Sequence, residues 1–166
     1  MNGTVLTTRS LLAAALLGVA LSAQALVEVR FIEPDKFADI GENKSERDRT
    51  LSQLEAYMRG QADKRLPASQ HLLIEVLDVN LAGEVEPRGR SMERIRIVKD
   101  ISWPTMELHF VLSEGDKVLR EGKVHLSDMN YLSGSVMHSS GEPLRYEKQL
   151  LEDWFKKEFS GGAGKR

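Results

Sequence analysis

The feature that most constrains the fold is an amphipathic segment near the C-terminus, which carries more aromatic surface than any other stretch of the chain. Its apolar residues recur at a spacing that places them on one face of a helix: Leu144, Leu150, Leu151, Trp154, Phe155 and Phe159. Pro143 suits the first helical position, where a missing N–H costs nothing. We therefore expect a C-terminal helix that covers the hydrophobic core with its aromatic face.

The rest of the chain alternates in ways that predict one more helix and several strands. In chain order we expect a strand at 26–32, a helix from 45 to about 65, a central strand at 71–79, a strand at 93–98, and a hairpin with arms near 106–112 and 118–126. Consecutive strands between two helices favour an antiparallel-rich sheet. The predicted class is α+β: a single, mostly antiparallel sheet of four or five strands, with both helices on one face and the order β-α-β-β-β-β-α.

Some local details can also be predicted. Ser45 is a candidate N-cap for the first helix, and the segment 82–90, with two glycines and a proline, is predicted to be a mobile connection. In the strand at 93–98, the alternation places Ile95 and Ile97 inward and Arg94 and Arg96 outward. In the hairpin, a three-residue turn at 114–116 would set His109 opposite Glu121.

The N-terminus has the parts of a secretory signal peptide. Arg9 precedes an apolar run from Leu11 to Leu21, and small residues with the spacing A-x-A end at Ala25. We expect cleavage after Ala25, which assigns 1–25 to the signal peptide, 26–159 to one domain and 160–166 to a disordered tail. The alternative is an uncleaved N-terminal anchor, although the apolar stretch is shorter than the roughly 20 residues of a membrane span.

Composition excludes several classes of function. The chain has no cysteine, which rules out disulfides, thiol catalysis, thiolate metal sites and lipid attachment at a cysteine. The formal net charge is −2, and loss of Arg9 with the signal peptide would make it −3. A mildly acidic domain gives no electrostatic reason to expect nucleic acid as a partner. We expect no stable membrane insertion after cleavage, and a periplasmic or secreted location.

Motifs for catalysis or for a cofactor are missing from the sequence. The four histidines, His71, His109, His125 and His138, have no metal-ligand spacing, and no nucleophile or phosphate-cradling motif is present. We therefore assign no catalytic residue, no metal ligand and no cofactor.

Four carboxylates around the last loop and helix leave an enzymatic alternative open. Asp128, Glu142, Glu147 and Asp153 lie close in sequence, and a converging pair would suit a hydrolase that uses general acid–base chemistry. The alternative roles are structural: Asp128 would tie down the end of a strand, and Glu147 and Asp153 would be charges on the solvent side of the helix.

Several motifs in fixed order resemble a known family. They are VRFIEPDKF at 29–37, EVLDVNLAGE at 75–84, Trp103-Pro104, LSDMNYL at 126–132 and LRYEKQLLEDWF at 144–155. Together they resemble a proteobacterial family of exported proteins that is described only as a domain of unknown function. The resemblance implies an envelope location, and it implies no activity, ligand or catalytic residue.

Two hypotheses follow, and the sequence favours the first, a non-enzymatic binding or accessory module that meets an envelope protein partner. The loops 81–92 and 128–142 would form its contact surface, and the predicted binding residues are Asp128, Asn130, Tyr131, Arg145 and Tyr146. The second hypothesis is the carboxylate hydrolase. The sequence does not predict the oligomeric state, the ligand or the partner.

Overall fold

The computed structural model describes residues 25–133 and 141–159. Residues 1–24 of the predicted signal peptide, part of the predicted loop 128–142 and the predicted tail 160–166 lie outside these ranges. The elements are β1 (Leu26–Phe31), a 3₁₀ turn (Pro34–Lys36), α1 (Lys44–Asp63), β2 (Gln70–Asn80), β3 (Glu84–Arg88), β4 (Glu93–Ile97), β5 (Thr105–Glu114), β6 (Lys117–Ser127) and α2 (Arg145–Phe159). The predicted α+β class is confirmed, and the predicted element order matches the structure except for one strand. The additional strand is β3, which lies within the segment 82–90 that was predicted to be a mobile connection, so that prediction is wrong.

The main sheet has four strands in the order β1-β2-β5-β6 and is mixed. β1 and β2 run parallel, because α1 returns the chain to the end of the sheet at which β1 begins. The pairs β2–β5 and β5–β6 are antiparallel. β3 and β4 pair only with each other among the described strands and form a separate two-stranded hairpin. The sequence-predicted strand at 93–98 therefore belongs to this hairpin and not to the main sheet.

Both helices pack on the same face of the sheet around one core. Leu54 and Met58 of α1, Leu151 and Phe155 of α2, and Ile74 of β2 are fully buried and belong to the same cluster. The aromatic face of α2 is inward as predicted, and Trp154 and Phe159 meet the ring of Phe110 on β5 edge-on, with centroids 5.6 and 5.8 Å away. Phe37 is also buried, at the margin of this core.

Local start signals differ from the sequence predictions at both helices. α1 begins one residue before Ser45, and its N-cap is Asn43, whose side chain accepts a hydrogen bond from the backbone N–H of Glu46 at 3.0 Å. α2 begins at Arg145 and not at Pro143, because Leu144 lies in the left-handed region with φ of 56°. No helix in the described ranges combines the length and apolar character that a membrane crossing requires.

The β5–β6 hairpin turns more tightly than predicted. Gly115, with φ of 56°, permits a two-residue turn between Glu114 and Lys117. The register then shifts beyond Ser113, where Leu119 is the extra residue. As a result His109 pairs with Lys123, and the predicted pairing of His109 with Glu121 is wrong.

Candidate functional site

A cleft of about 450 Å³ lies between the first turns of α1, the β3–β4 hairpin and the start of α2. Its walls carry apolar side chains of Leu81, Ala82, Val85, Val98 and Leu144. Its charged lining residues are Arg49, Arg94, Arg96, Arg145, Glu42, Glu46, Glu142 and Glu147. Because three elements that are distant in sequence form it, its shape depends on the contacts that fix the hairpin to the two helices.

The base of the hairpin is fixed by a glycine and by an arginine. Gly83 has φ of 78°, and a Cβ at this position would lie 2.4 Å from the carbonyl oxygen of Ile97. The guanidinium of Arg96 on β4 donates to both carboxylate oxygens of Asp39, at 2.8 and 3.0 Å, and to the carbonyl of Gly83 at 3.1 Å. A bidentate pair of this kind fixes orientation as well as distance. Only glycine fits this close approach of two strands.

The hairpin faces the opposite way from the sequence prediction. Arg94 and Arg96 line the cleft, and Ile95 is 42% exposed on the other face. Arg94 donates from Nε to a carboxylate oxygen of Glu42 at 2.6 Å. The prediction was wrong because it assumed a strand inside the main sheet, whereas the partners of these arginines lie in the segment that precedes α1.

A buried carboxylate joins α2 to the end of β2. Glu147 is only 3% exposed, and its Oε1 accepts a hydrogen bond from the backbone N–H of Ala82 at 2.7 Å. Burial raises the pKa of the Glu147 carboxyl, and the hydrogen bond from Ala82 opposes that rise. Glu147 therefore lines the cleft and has a mainly structural role, which is to hold the backbone at Ala82. The sequence suggested a charge on the solvent side of the helix, and the structure does not place Glu147 there.

Behind the cleft, two tyrosines form a small cluster of their own. The rings of Tyr131 and Tyr146 meet edge-on with centroids 4.7 Å apart, and Trp103 packs against them. The hydroxyl of Tyr131 donates to the carbonyl oxygens of Lys99 and Ser102. This anchors the segment after β4 and gives the Tyr146 ring a fixed support.

The five predicted binding residues separate into three groups. Arg145 and Tyr146 line the cleft, and the Arg145 guanidinium lies 4.5 Å from the centroid of the Tyr146 ring. Tyr131 supports Tyr146 without lining the cleft. Asp128 accepts a hydrogen bond from the backbone N–H of Asn130 at 2.9 Å, which closes a local turn, and neither residue lines the cleft.

The family comparison concerns nearly all of the structure described above. A family model with the description "Protein of unknown function (DUF3016)" matches residues 25–157. The chain belongs to the DUF3016 family. The matched range of this DUF3016 domain includes every residue that lines the cleft, and it confirms the resemblance to a domain of unknown function. No curated protein matches the chain.

The four carboxylates that motivated the hydrolase alternative have separate partners in the DUF3016 domain. Glu142 pairs with Lys148 at 2.7 Å, and Asp153 accepts from the side-chain amide of Gln149 at 3.1 Å. Of the four, only Glu142 and Glu147 line the cleft. In the described part of the chain, no group of three or more histidine, aspartate or glutamate side chains is placed to hold a metal ion.

Most charged groups in the cleft are already engaged. Glu46 accepts from the backbone N–H of Glu42 at 2.9 Å and from the side-chain amide of Asn43 at 2.7 Å. Glu42, Glu142 and Glu147 have the partners given above, as do Arg94 and Arg96. Two guanidinium groups remain, those of Arg49 and Arg145, and neither forms an ion pair with a carboxylate within residues 25–133 and 141–159.

Proposed function

We propose that this DUF3016 protein is an exported, non-enzymatic binding module of the cell envelope, and that its ligand occupies the cleft between α1, the β3–β4 hairpin and α2. The observation that carries the proposal is the cleft itself, whose volume of about 450 Å³ lies in the range typical of ligand sites, roughly 300–1,000 Å³. The signal-peptide pattern at 1–25 supports the export part of the proposal.

The fixed geometry of the walls supports a binding role. Arg96, Glu147 and Tyr131 each hold a backbone segment that borders the cleft, through hydrogen bonds to carbonyl or N–H groups. A site that is formed before its ligand arrives loses less conformational entropy on binding. Because these side chains make these contacts, we assign them a structural role.

One observation favours the hydrolase alternative: Glu147 is a buried carboxyl with a raised pKa in a cleft, as a general acid requires. Against it, one Glu147 oxygen is occupied by the N–H of Ala82, and the other cleft carboxylate from this region, Glu142, is paired with Lys148. Binding is therefore the better supported function.

Site-specific photo-cross-linking in intact cells tests the binding function. A benzophenone amino acid would replace Val98, which is 40% exposed and lines the cleft, and in a second protein Leu119, which is equally exposed on β6. We expect a specific adduct, found by mass spectrometry, from position 98 and not from position 119. Equal adducts from both positions, or none from position 98 in folded protein, would contradict the proposal.

A further inference from the structure

We propose that the cleft recognises an anionic group of a small molecule, a carboxylate or a phosphate, through the guanidinium groups of Arg49 and Arg145, with the apolar remainder of the ligand against Val85, Val98 and Leu144. This inference rests on the proposed function and adds the chemical class of the ligand. It starts from the distribution of charge in the cleft, where arginines and glutamates are equal in number but not equally occupied.

The occupied charges explain why an anion is favoured over a cation. Each glutamate that lines the cleft already accepts a hydrogen bond or an ion pair from the protein, from Arg94, Lys148 or a backbone or side-chain N–H group. A cationic ligand would have to displace one of these partners. An anion would instead meet two arginines that have no carboxylate partner in the described ranges.

The two arginines come from different walls of the cleft. Arg49 is exposed on the second turn of α1, and Arg145 is half-buried as the first residue of α2. Tyr146 restrains Arg145 from below, because the guanidinium stacks over its ring and also donates to its hydroxyl. A single guanidinium can donate two parallel N–H bonds to the oxygens of a carboxylate or a phosphate, so the two arginines suit both anions.

The α1 N-terminus does not provide the anion site. Three residues at the start of α1 have an N–H without a helical acceptor: Lys44, Ser45 and Glu46. Of these only Glu46 lines the cleft, and its N–H already donates to the Asn43 side chain at 3.0 Å. Recognition must therefore come from the arginine side chains. The volume of the cleft and its apolar walls also exceed what an inorganic ion would fill, which is why the ligand is assigned an apolar part.

Isothermal titration calorimetry of the purified, exported protein tests the assignment. The probes are phenyl phosphate, phenylacetate and inorganic phosphate, with benzyl alcohol as the uncharged control. We expect saturable binding of phenyl phosphate or phenylacetate that is tighter than that of inorganic phosphate, and no binding of benzyl alcohol. The stronger of the two aromatic anions identifies the ligand as a phosphate or a carboxylate.

Charge-removing variants locate the binding. Arg49→Gln and Arg145→Gln should each weaken the preferred anion by at least about tenfold, the usual effect of losing a charged hydrogen bond. Arg90→Gln makes the same charge change at an exposed residue outside the cleft and should leave affinity unchanged. Arg145→Lys keeps the charge and should lose affinity only partly, which separates recognition from any folding defect of the glutamine variant.

The possible outcomes distinguish a failure of the anion assignment from a failure of the proposed binding function. Equal binding of benzyl alcohol and the anions, or wild-type affinity in both glutamine variants, would overturn the anion assignment. So would the absence of binding by every probe. If position 98 still yields a specific adduct in cells, only the anion assignment fails. If it yields none, the binding function fails as well.

Discussion

At the scale of single residues, the carboxylate of Glu147 decides where the chain runs between the main sheet and the hairpin. It is buried, and it satisfies the N–H of Ala82, which lies just after β2 and is itself buried. An unpaired buried N–H costs much more than a replaced hydrogen bond gains. The position therefore needs an acceptor, although it does not need a charge.

Two substitutions separate these requirements. Glu147→Ala should lower the free energy of unfolding by about 1–3 kcal/mol, because the N–H of Ala82 loses its acceptor. Glu147→Gln keeps an oxygen at the same place and should cost much less. Urea denaturation at neutral pH measures both, and equal losses would show that the hydrogen bond is not what matters.

The raised pKa of Glu147 adds a dependence on pH. Because burial raises the folded-state pKa, the ionised carboxyl opposes folding above its unfolded pKa. That cost disappears as the pH falls through the folded pKa. The stability of the wild type relative to Glu147→Gln should therefore increase toward acidic pH.

His109 provides a second prediction about titration. Its Nδ1 lies 2.9 Å from Glu75 and its Nε2 lies 3.2 Å from Glu121. The hydrogen bond with Glu75 raises the pKa of His109 most, with a smaller contribution from Glu121 and an opposing effect of desolvation. Protonated His109 therefore stabilises the folded state. This stabilisation is complete below the unfolded pKa of histidine and is lost as the pH rises through the folded pKa.

NMR titration of the imidazole resonances measures this effect. We expect the pKa of His109 to lie above that of an unperturbed histidine and to fall more in Glu75→Gln than in Glu121→Gln. A larger fall in Glu121→Gln would show that the order of the two interactions is reversed.

At the scale of elements, α2 joins the core to the cleft. Its C-terminal half places Trp154, Phe155 and Phe159 in the core, and its first turn contributes Arg145, Tyr146 and Glu147 to the site. Packing of the aromatic half therefore sets the position of the functional half. We therefore expect a substitution in the aromatic half to change the position of the residues that line the cleft.

Phe155→Ala tests the packing of α2. Phe155 is fully buried, so the cavity should lower the free energy of unfolding by about 3–5 kcal/mol. Asp153→Ala, at an exposed position on the same helix, should change it by less than about 1 kcal/mol. Urea denaturation compares the two, and similar losses would contradict the placement of the aromatic face.

Local periodicity predicted most elements, since a strand or helix that buries one face shows it in its own sequence. Long-range pairing was not predictable in this way. The parallel pairing of β1 with β2, the separation of β3–β4 from the main sheet and the extra residue Leu119 all depend on how distant segments meet. The residues of the site also differ in whether local sequence could reveal them. Arg145 and Tyr146 are neighbours in a recognisable helix start, whereas Arg49, Arg94 and Arg96 join them only through the fold.

At the scale of the whole molecule, the export hypothesis makes a direct prediction about the N-terminus. Expression of the complete coding sequence in a Gram-negative host should give a periplasmic protein that begins at Leu26. Ala25 is buried at the core margin, so of the described residues this cleavage removes one methyl side chain from the core. Mass spectrometry of cell fractions measures the result. An intact N-terminus in the membrane fraction would support the anchor, and an intact cytoplasmic protein would contradict export.

The central claim is that the ligand lies in the cleft and not elsewhere on the DUF3016 domain. The two faces of the β3–β4 hairpin allow a matched comparison, because Val85 lines the cleft and Ile95 lies on the opposite face. Val85→Trp should fill the cleft, whereas Ile95→Trp adds the same ring system outside it.

The measurement is the yield of the adduct from the cross-linker at position 98 in each of these two backgrounds, with circular dichroism to confirm that both proteins fold. The cleft hypothesis predicts that Val85→Trp abolishes the adduct and that Ile95→Trp leaves it at the wild-type level. An undiminished adduct in folded Val85→Trp would contradict it.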